Sequence, residues 1–245
     1  MTAVAMILAA GRGERMRPLT DSRPKPLLQV RGKPLMQWPM EALARGGFTD
    51  VLINTAWLGD QIEQAFGAVF SPNVSLTYSH EGRDFGAALE TAGGIVRALP
   101  LLDEVFWVLA GDVFAPDFEF TQTAVERFKA SGKLAHLWLV PNPEHNERGD
   151  FGLSAEGLAL NLPKGADHVM HTYSTIGLYR KSFFGLPFCE ISAGNPLGVK
   201  APLVPLMRAA MDAGRVSAEV YAGQWTDVGT PERLQLLDQA TRSAF

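Results

Sequence analysis

Val4-Ala5-Met6-Ile7-Leu8-Ala9-Ala10-Gly11-Arg12-Gly13-Glu14-Arg15-Met16-Arg17-Pro18-Leu19-Thr20, with Pro24-Lys25-Pro26 close behind, is the stretch that decides the fold of this chain. The run from Val4 to Leu8 is apolar throughout, as expected of a strand buried on both faces. It ends in two alanines and a Gly-x-Gly turn. Small residues let the backbone approach a ligand closely and let successive N–H groups point into one hollow, which suits a triphosphate. Arg12, Arg15, Arg17 and Lys25 add positive charge around the same anion, arginine as a planar fork and lysine as a point charge. Two better-known phosphate loops are excluded. The dinucleotide pattern needs glycine at position 16, where Met16 stands, and G-x-x-x-x-G-K-[ST] is absent.

Working outward, a short pairing is predicted over residues 27–30, before the turn Arg31-Gly32-Lys33-Pro34. A helix over 35–44 carries Pro39 in its first half and closes at Gly46-Gly47. Strands follow over 51–54, 74–79 and 105–110, alternating with helices over 61–66, where Asp60 reads as the N-cap, and 91–99. Apolar strands alternating with helices predict an α/β fold whose central sheet is mostly parallel and covered on both faces. After Pro116 the pattern changes. A helix over 121–131 and a strand over 135–140 precede a stretch rich in Gly, Asn, Pro and Asp up to His171. A strand over 173–179 follows, then an amphipathic helix over 202–213 and a closing helix from Pro231 to about Thr241.

The 245 residues read as one domain, with a nucleotide half over about 1–115 and a second-substrate half over about 116–245. A net charge of -4 with both signs interspersed argues against a nucleic-acid platform. No run approaches a membrane span, and the short N-terminal apolar run lacks the basic start of a signal peptide. The single cysteine, Cys189, excludes an internal disulfide and fits a reducing cytosol; the phenylalanines around it suggest packing.

Two aspartates draw attention. Val108-Leu109-Ala110-Gly111-Asp112 places a carboxylate just past a buried strand, at the sheet edge where ligands bind in α/β folds. Asp112 suits a hard cation such as Mg²⁺, or it is a turn residue. Asp227, in Trp225-Thr226-Asp227-Val228-Gly229-Thr230-Pro231, is likewise a second ligand or a turn residue before the Pro231 helix. Glu90-Thr91-Ala92-Gly93-Gly94 opens a helix with little bulk, which serves contact with a base or ribose, or a plain cap.

Residues 9–20 with Pro24-Lys25-Pro26 resemble the glycine-rich motif of sugar-1-phosphate nucleotidyltransferases, G-x-G-x-R-[ML]-x-P-x-T followed by P-K-P. Glu14 departs from the threonine many members carry. The resemblance implies a Rossmann-like three-layer sandwich of the GT-A kind. It implies that Ala9, Ala10, Gly11, Gly13, Arg15, Lys25, Glu90, Thr91 and Gly111 contact the nucleotide, with Arg15 and Lys25 catalytic. It implies Mg²⁺ on Asp112 and Asp227, and sugar-phosphate contacts from Gly149, Thr175 and Lys200.

The Glu-Thr-(Ala/Gly)-Gly-Gly form at residues 90–94, the stretch Asn54-Thr55-Ala56-Trp57-Leu58-Gly59 and the segments at 201–211 and 223–234 resemble the N-acetylmuramate-1-phosphate uridylyltransferase branch. That branch implies UTP and N-acetyl-α-muramate 1-phosphate as substrates, in cell-wall recycling in a bacterial cytoplasm. Arg148, Lys164, His168, His171 and Lys200 are candidates for the lactyl carboxylate of such an acceptor. GTP with mannose 1-phosphate, dTTP with glucose 1-phosphate, and a non-catalytic nucleotide-sugar sensor remain as alternatives. The presence of Lys25 and both aspartates favours an enzyme. A monomer is compatible with the sequence.

Overall fold

The computed structural model describes residues 3–71, 73–163 and 165–239. The apolar runs of the first half form β1 (Ala3–Leu8), β2 (Asp50–Thr55), β3 (Val74–His80) and β4 (Leu102–Ala110), which pair in parallel in the order β4-β1-β2-β3. The second half adds β5 (Ala135–Val140), β6 (Phe151–Leu153), β7 (Met170–Arg180) and β8 (Val216–Val220) to the same sheet. β7 runs antiparallel beside β4 and also pairs antiparallel with β5 and β6, while β8 lies parallel to β5. The sheet is therefore parallel through the nucleotide half and mixed beyond it. Parallel neighbours need a crossover of a dozen residues or more, usually a helix. β5 and β6 both run against β7 and so share one direction; among the described residues the link from β6 to β7 carries only the two-residue strand Ala159–Leu160, and this short return is antiparallel.

Helices cover both faces: α1 (Gln37–Arg45), α2 (Gly59–Phe66), α3 (Glu90–Ala98), α4 (Gln122–Ser131), α5 (Leu203–Asp212) and, at the end, α6 (Pro231–Gln239). Alternate strand residues point to opposite faces. Met6, Phe106 and Val108 pack with α3 and α5, whereas Ile7, Trp107 and Leu109 pack with α1, α2 and α4. Both faces of β1 and of the 105–109 part of β4 thus meet a helix layer, which is why these stretches read as continuous apolar runs. Trp107 is wholly buried, its ring centroid 4.8 Å from that of Trp138 and 5.0 Å from that of Phe120. Cys189 is buried and unpaired in the α3–α5 layer.

Some local expectations shift. Pro39 lies in the first turn of α1, where an N–H has no helical partner to lose, so the helix continues through it. Asp60 is not the cap of α2; Leu58 occupies that position with φ of 50°, and Asp60 sits in the first turn and pairs with Arg83 at 2.8 Å. Thr121 caps α4, accepting from the Ala124 amide at 3.1 Å. β8 was not expected, because its only buried residues, Val216 and Ala218, carry too little apolar signal. α6 is described to Gln239, and Thr241 lies outside the described residues.

Candidate active site

Leu8, the last residue of β1, stands opposite both Asn54 of β2 and Ala110 of β4. The three parallel strands therefore end level, and the loops that follow open on one edge, the ligand edge of an α/β sheet. There they enclose a cleft of about 730 Å³. Ala9, Ala10, Gly11, Gly13, Arg15 and Lys25 line it, together with Glu90, Thr91, Asp112 and Thr175, and α5 contributes Leu203 and Met207.

A small satellite core brings these segments together. Met16, Leu28, Val30, Leu35, Phe114, Val228 and Leu237 are buried against one another. Each site residue has an apolar neighbour in this cluster: Arg15 has Met16, Lys25 has Leu28, Asp112 has Phe114 and Asp227 has Val228. Burying those neighbours together draws four distant stretches to one place. One strand pair and one main-chain hydrogen bond complete the join. Asp227 stands opposite Val113 in a two-stranded ribbon, and the Val228 amide donates to the Asp112 carbonyl at 3.0 Å.

The loop cations separate into two pairs. Lys25, in a 3₁₀ turn between two prolines, is 9% exposed and its Nζ bonds to Asp112 Oδ2. Arg15 is exposed on the cleft wall, and no described residue pairs with its guanidinium. Arg12 and Arg17, expected around the same anion, instead face away from it. Both bond Asp21 Oδ1, at 2.9 and 2.8 Å, and Arg12 also donates to the Thr20 carbonyl and lies 3.7 Å over the Trp57 ring. These contacts brace the loop from behind, and the Arg12 hydrogen bond is the main cause holding the Asp21 carboxyl below its usual value. Gly13 has φ of 65°, the conformation the turn requires, and a Cβ there would press on Thr20 and Lys25.

Asp112 bonds through Oδ2, while Asp227 Oδ1 receives Arg233 Nη1 at 2.5 Å and meets His145 Nε2 at 2.7 Å. Among the described residues nothing bonds Asp112 Oδ1 or Asp227 Oδ2. Asp112 lines the cleft and Asp227 is joined to it through the ribbon; carboxylates with an open oxygen are the donors that Mg²⁺ takes. No group of three or more His, Cys, Asp or Glu side chains forms among the described residues, so phosphate and water would have to complete the shell.

Two cleft residues have strained backbones. Glu90 has φ of 58° and Thr175 φ of 64°, both left-handed. For threonine, branched at Cβ, this is costly, of order 1–3 kcal/mol. Thr175 sits where β7 shifts register between Tyr173 and Gly177, and its Oγ1 is buried with no partner. Backbone strain of this kind gathers at functional sites, although the hydroxyl itself is buried rather than open to the cleft. Tyr173 also lines the cleft, with its Oη 2.9 Å from Tyr179 Oη.

Four of the anticipated contacts lie elsewhere. Asp227 does not line the cleft, and its Oδ1 is taken by Arg233 and His145. Gly111 does not line the cleft; its amide donates to the Leu8 carbonyl at 2.9 Å, and a Cβ there would meet Ile7 at 3.2 Å. Gly149 lines a second, polar cavity of about 1310 Å³ with Arg148, Asp150, His168 and Arg208. Lys200 is exposed and lines neither cavity, although its neighbour Ala201 accepts from the first turn of α3. Of the lactyl candidates, Arg148 and His168 belong to the second cavity, and Lys164 lies outside the described residues. Burial, aided by His168, lowers the His171 pKa, which disfavours the cation a carboxylate would need. Asn54 is the cleft residue that residue-by-residue reading missed. Its signal was a polar side chain ending an apolar strand at the ligand edge, and it accepts from the Ala9 amide at 2.8 Å.

The profile of the nucleotidyl transferase family matches residues 4–243. The chain is 46% identical over 237 residues to N-acetylmuramate alpha-1-phosphate uridylyltransferase of Neisseria meningitidis serogroup B, covering 94% of this chain and 95% of that one. It is 31% identical to the protein of the same name from Caulobacter vibrioides, covering 94% and 93%. A solved Bacillus anthracis structure, provisionally assigned as a glucose-1-phosphate thymidylyltransferase, superposes with a TM-score of 0.80 at 21% identity, over 100% of this chain and 97% of that one, a likeness of fold.

Proposed function

Because the chain belongs to the nucleotidyl transferase family, we propose that it joins UTP to N-acetyl-α-muramate 1-phosphate, releasing pyrophosphate and UDP-N-acetylmuramate. The observation that carries this reading is the meeting of Lys25, Asp112 and the open Arg15 at the end of β1, beside the ribbon that holds Asp227. Of the described cavities, this is the one that brings the glycine-rich turn together with the open Arg15, Lys25 and Asp112.

The acceptor is already an anion and needs no general base. Its phosphate oxygen attacks the α-phosphorus of UTP, and the bond from that phosphorus to the pyrophosphate oxygen breaks. The protein's contribution is alignment and charge neutralisation. The 9–13 turn holds the triphosphate through N–H groups. Arg15 grips the β- and γ-phosphates and stabilises charge on the leaving group. Lys25 steadies the α-phosphate against the entering phosphate, and Thr175 contacts the acceptor. Asp112 and Asp227 would hold a magnesium ion, which would supply neutralisation of negative charge on phosphate. Glu90 and Thr91 face the nucleoside. The product suits cell-wall recycling in a bacterial cytoplasm, and among the described residues no helix is long and apolar enough to cross a membrane.

The test is a panel of UTP, GTP and dTTP against muramyl, mannosyl and glucosyl 1-phosphates, scored by pyrophosphate release. UTP with the muramyl acceptor is expected to lead; GTP with mannose 1-phosphate leading would reassign the substrates, and no release with any pair would remove the enzyme.

A further inference from the structure

Asn54 and Glu81 are both buried behind the cleft, and Glu81 is wholly enclosed. Asn54 closes β2 on the cleft floor; Glu81 opens the short helix Glu81–Phe85 behind it. A carboxylate taken out of water is costly unless its oxygens are bonded. Here both are. The Ala9 amide donates to Asn54 Oδ1 at 2.8 Å, Asn54 Nδ2 donates to Glu81 Oε1 at 2.7 Å, and the Leu89 amide donates to Glu81 Oε2 at 2.7 Å. This relay starts in the glycine-rich turn and ends one residue before Glu90, whose left-handed backbone opens α3. Its direction is set throughout. Once Asn54 Oδ1 serves Ala9, only the amide NH₂ remains for Glu81, which must accept on both sides.

Resting on the assignment of UTP to this cleft, we propose that Asn54 and Glu81 are positioning residues that couple the phosphate wall to the nucleoside wall, so that both hold UTP in one geometry. Neither need touch the nucleotide through Glu81: the effect passes through the Ala9 and Leu89 amides to the turns that do.

The relay can be broken and rebuilt without changing its size. In Glu81→Gln, either the new NH₂ opposes Asn54 Nδ2 or the Leu89 amide loses its acceptor. Adding Asn54→Asp restores a partner to every group, since aspartate accepts from both Ala9 and Gln, and the Gln oxygen accepts from Leu89. Glu81→Gln is expected to raise the UTP KM about tenfold, the worth of one buried bond, with kcat within about threefold and the sugar-phosphate KM unchanged. In the free protein, amide exchange is expected to quicken at both Ala9 and Leu89 in this variant, and to slow again at both in the double variant. A purely local structural role would leave Ala9 exchange unchanged, and that result overturns the coupling. So does a UTP KM that rises only in step with the sugar-phosphate KM, or a double variant that restores neither amide. Wild-type protein that releases no pyrophosphate from UTP defeats the substrate reading instead; exchange at Ala9 and Leu89 still decides whether the walls are coupled.

Discussion

Asp112 and Asp227, 115 positions apart in the chain, are held side by side by main-chain bonds: Asp227 pairs with Val113, and the Val228 amide donates to the Asp112 carbonyl at 3.0 Å. The approach of the two segments is thus a property of the backbone, made by contacts that do not involve the charges. Lys25 on one and Arg233 on the other offset the repulsion in the free protein. Because main-chain bonds hold it, such an arrangement is preserved when a carboxylate is changed.

Asp112→Asn is expected to lower the rate of pyrophosphate release about 10²–10³-fold. The neutral amide still offers Lys25 an acceptor, so the circular dichroism spectrum and melting temperature should stay close to wild type. Near-normal turnover with UTP would defeat the metal assignment.

Arg15 and Lys25 should separate by their effect on stability. Arg15→Ala removes an exposed, unpaired side chain, so unfolding free energy should change by less than about 0.5 kcal/mol while kcat/KM falls about 10²–10³-fold. Lys25→Ala strands the Asp112 carboxylate and should lose both activity and stability. Urea denaturation beside steady-state kinetics distinguishes them, and equal stability losses would contradict the different pairing of the two cations.

Thr175→Gly should stabilise the protein and impair it. Glycine relieves a left-handed strain of roughly 1–3 kcal/mol against an entropic cost of about 0.5–1 kcal/mol. A net gain of about 1 kcal/mol corresponds to a rise of roughly 2–4 °C in melting temperature for a chain of this size. Loss of the unpaired hydroxyl should raise the KM for the sugar phosphate. A lowered melting temperature would mean that the strain is not relieved there.

Gly94→Ala reverses the usual helix rule. Alanine in a helix interior commonly gains up to about 1 kcal/mol over glycine. Here the new Cβ would stand 2.4 Å from Glu81 Oε1 and 3.0 Å from Asn54 Nδ2. The variant should lose about 1–3 kcal/mol through overpacking, read as a lower urea midpoint; a gain would show that Glu81 moves aside freely.

His171 should make stability fall in mild acid. Burial first, then His168, lowers its folded pKa from the ordinary 6.5, so below that value the unfolded chain binds more protons. Its contribution is complete above pH 6.5 and is lost as the pH falls toward the depressed value. Urea midpoints measured at about pH 7.5 and about pH 5.5 should differ less in His171→Gln than in wild type. An unchanged difference would mean that other groups set the slope.

By itself the sequence determined the buried strands, the helices between them and the glycine-rich loop, because side-chain periodicity and turn chemistry are local properties. It also nominated two aspartates and a lysine for the site, through motifs long enough to be specific, and of these Asp112 and Lys25 line the cleft. Only the tertiary structure decided how the charges are shared. Arg12 and Arg17 turn to Asp21 and leave Arg15 open, a choice set by how the loop folds back on Trp57. Only the assembled sheet showed that Asn54 reaches Ala9, and that Gly149 and Lys200 stand away from the main cleft. Hydrogen-bond partners and the burial of a charge depend on atoms far along the chain, and no local pattern encodes them.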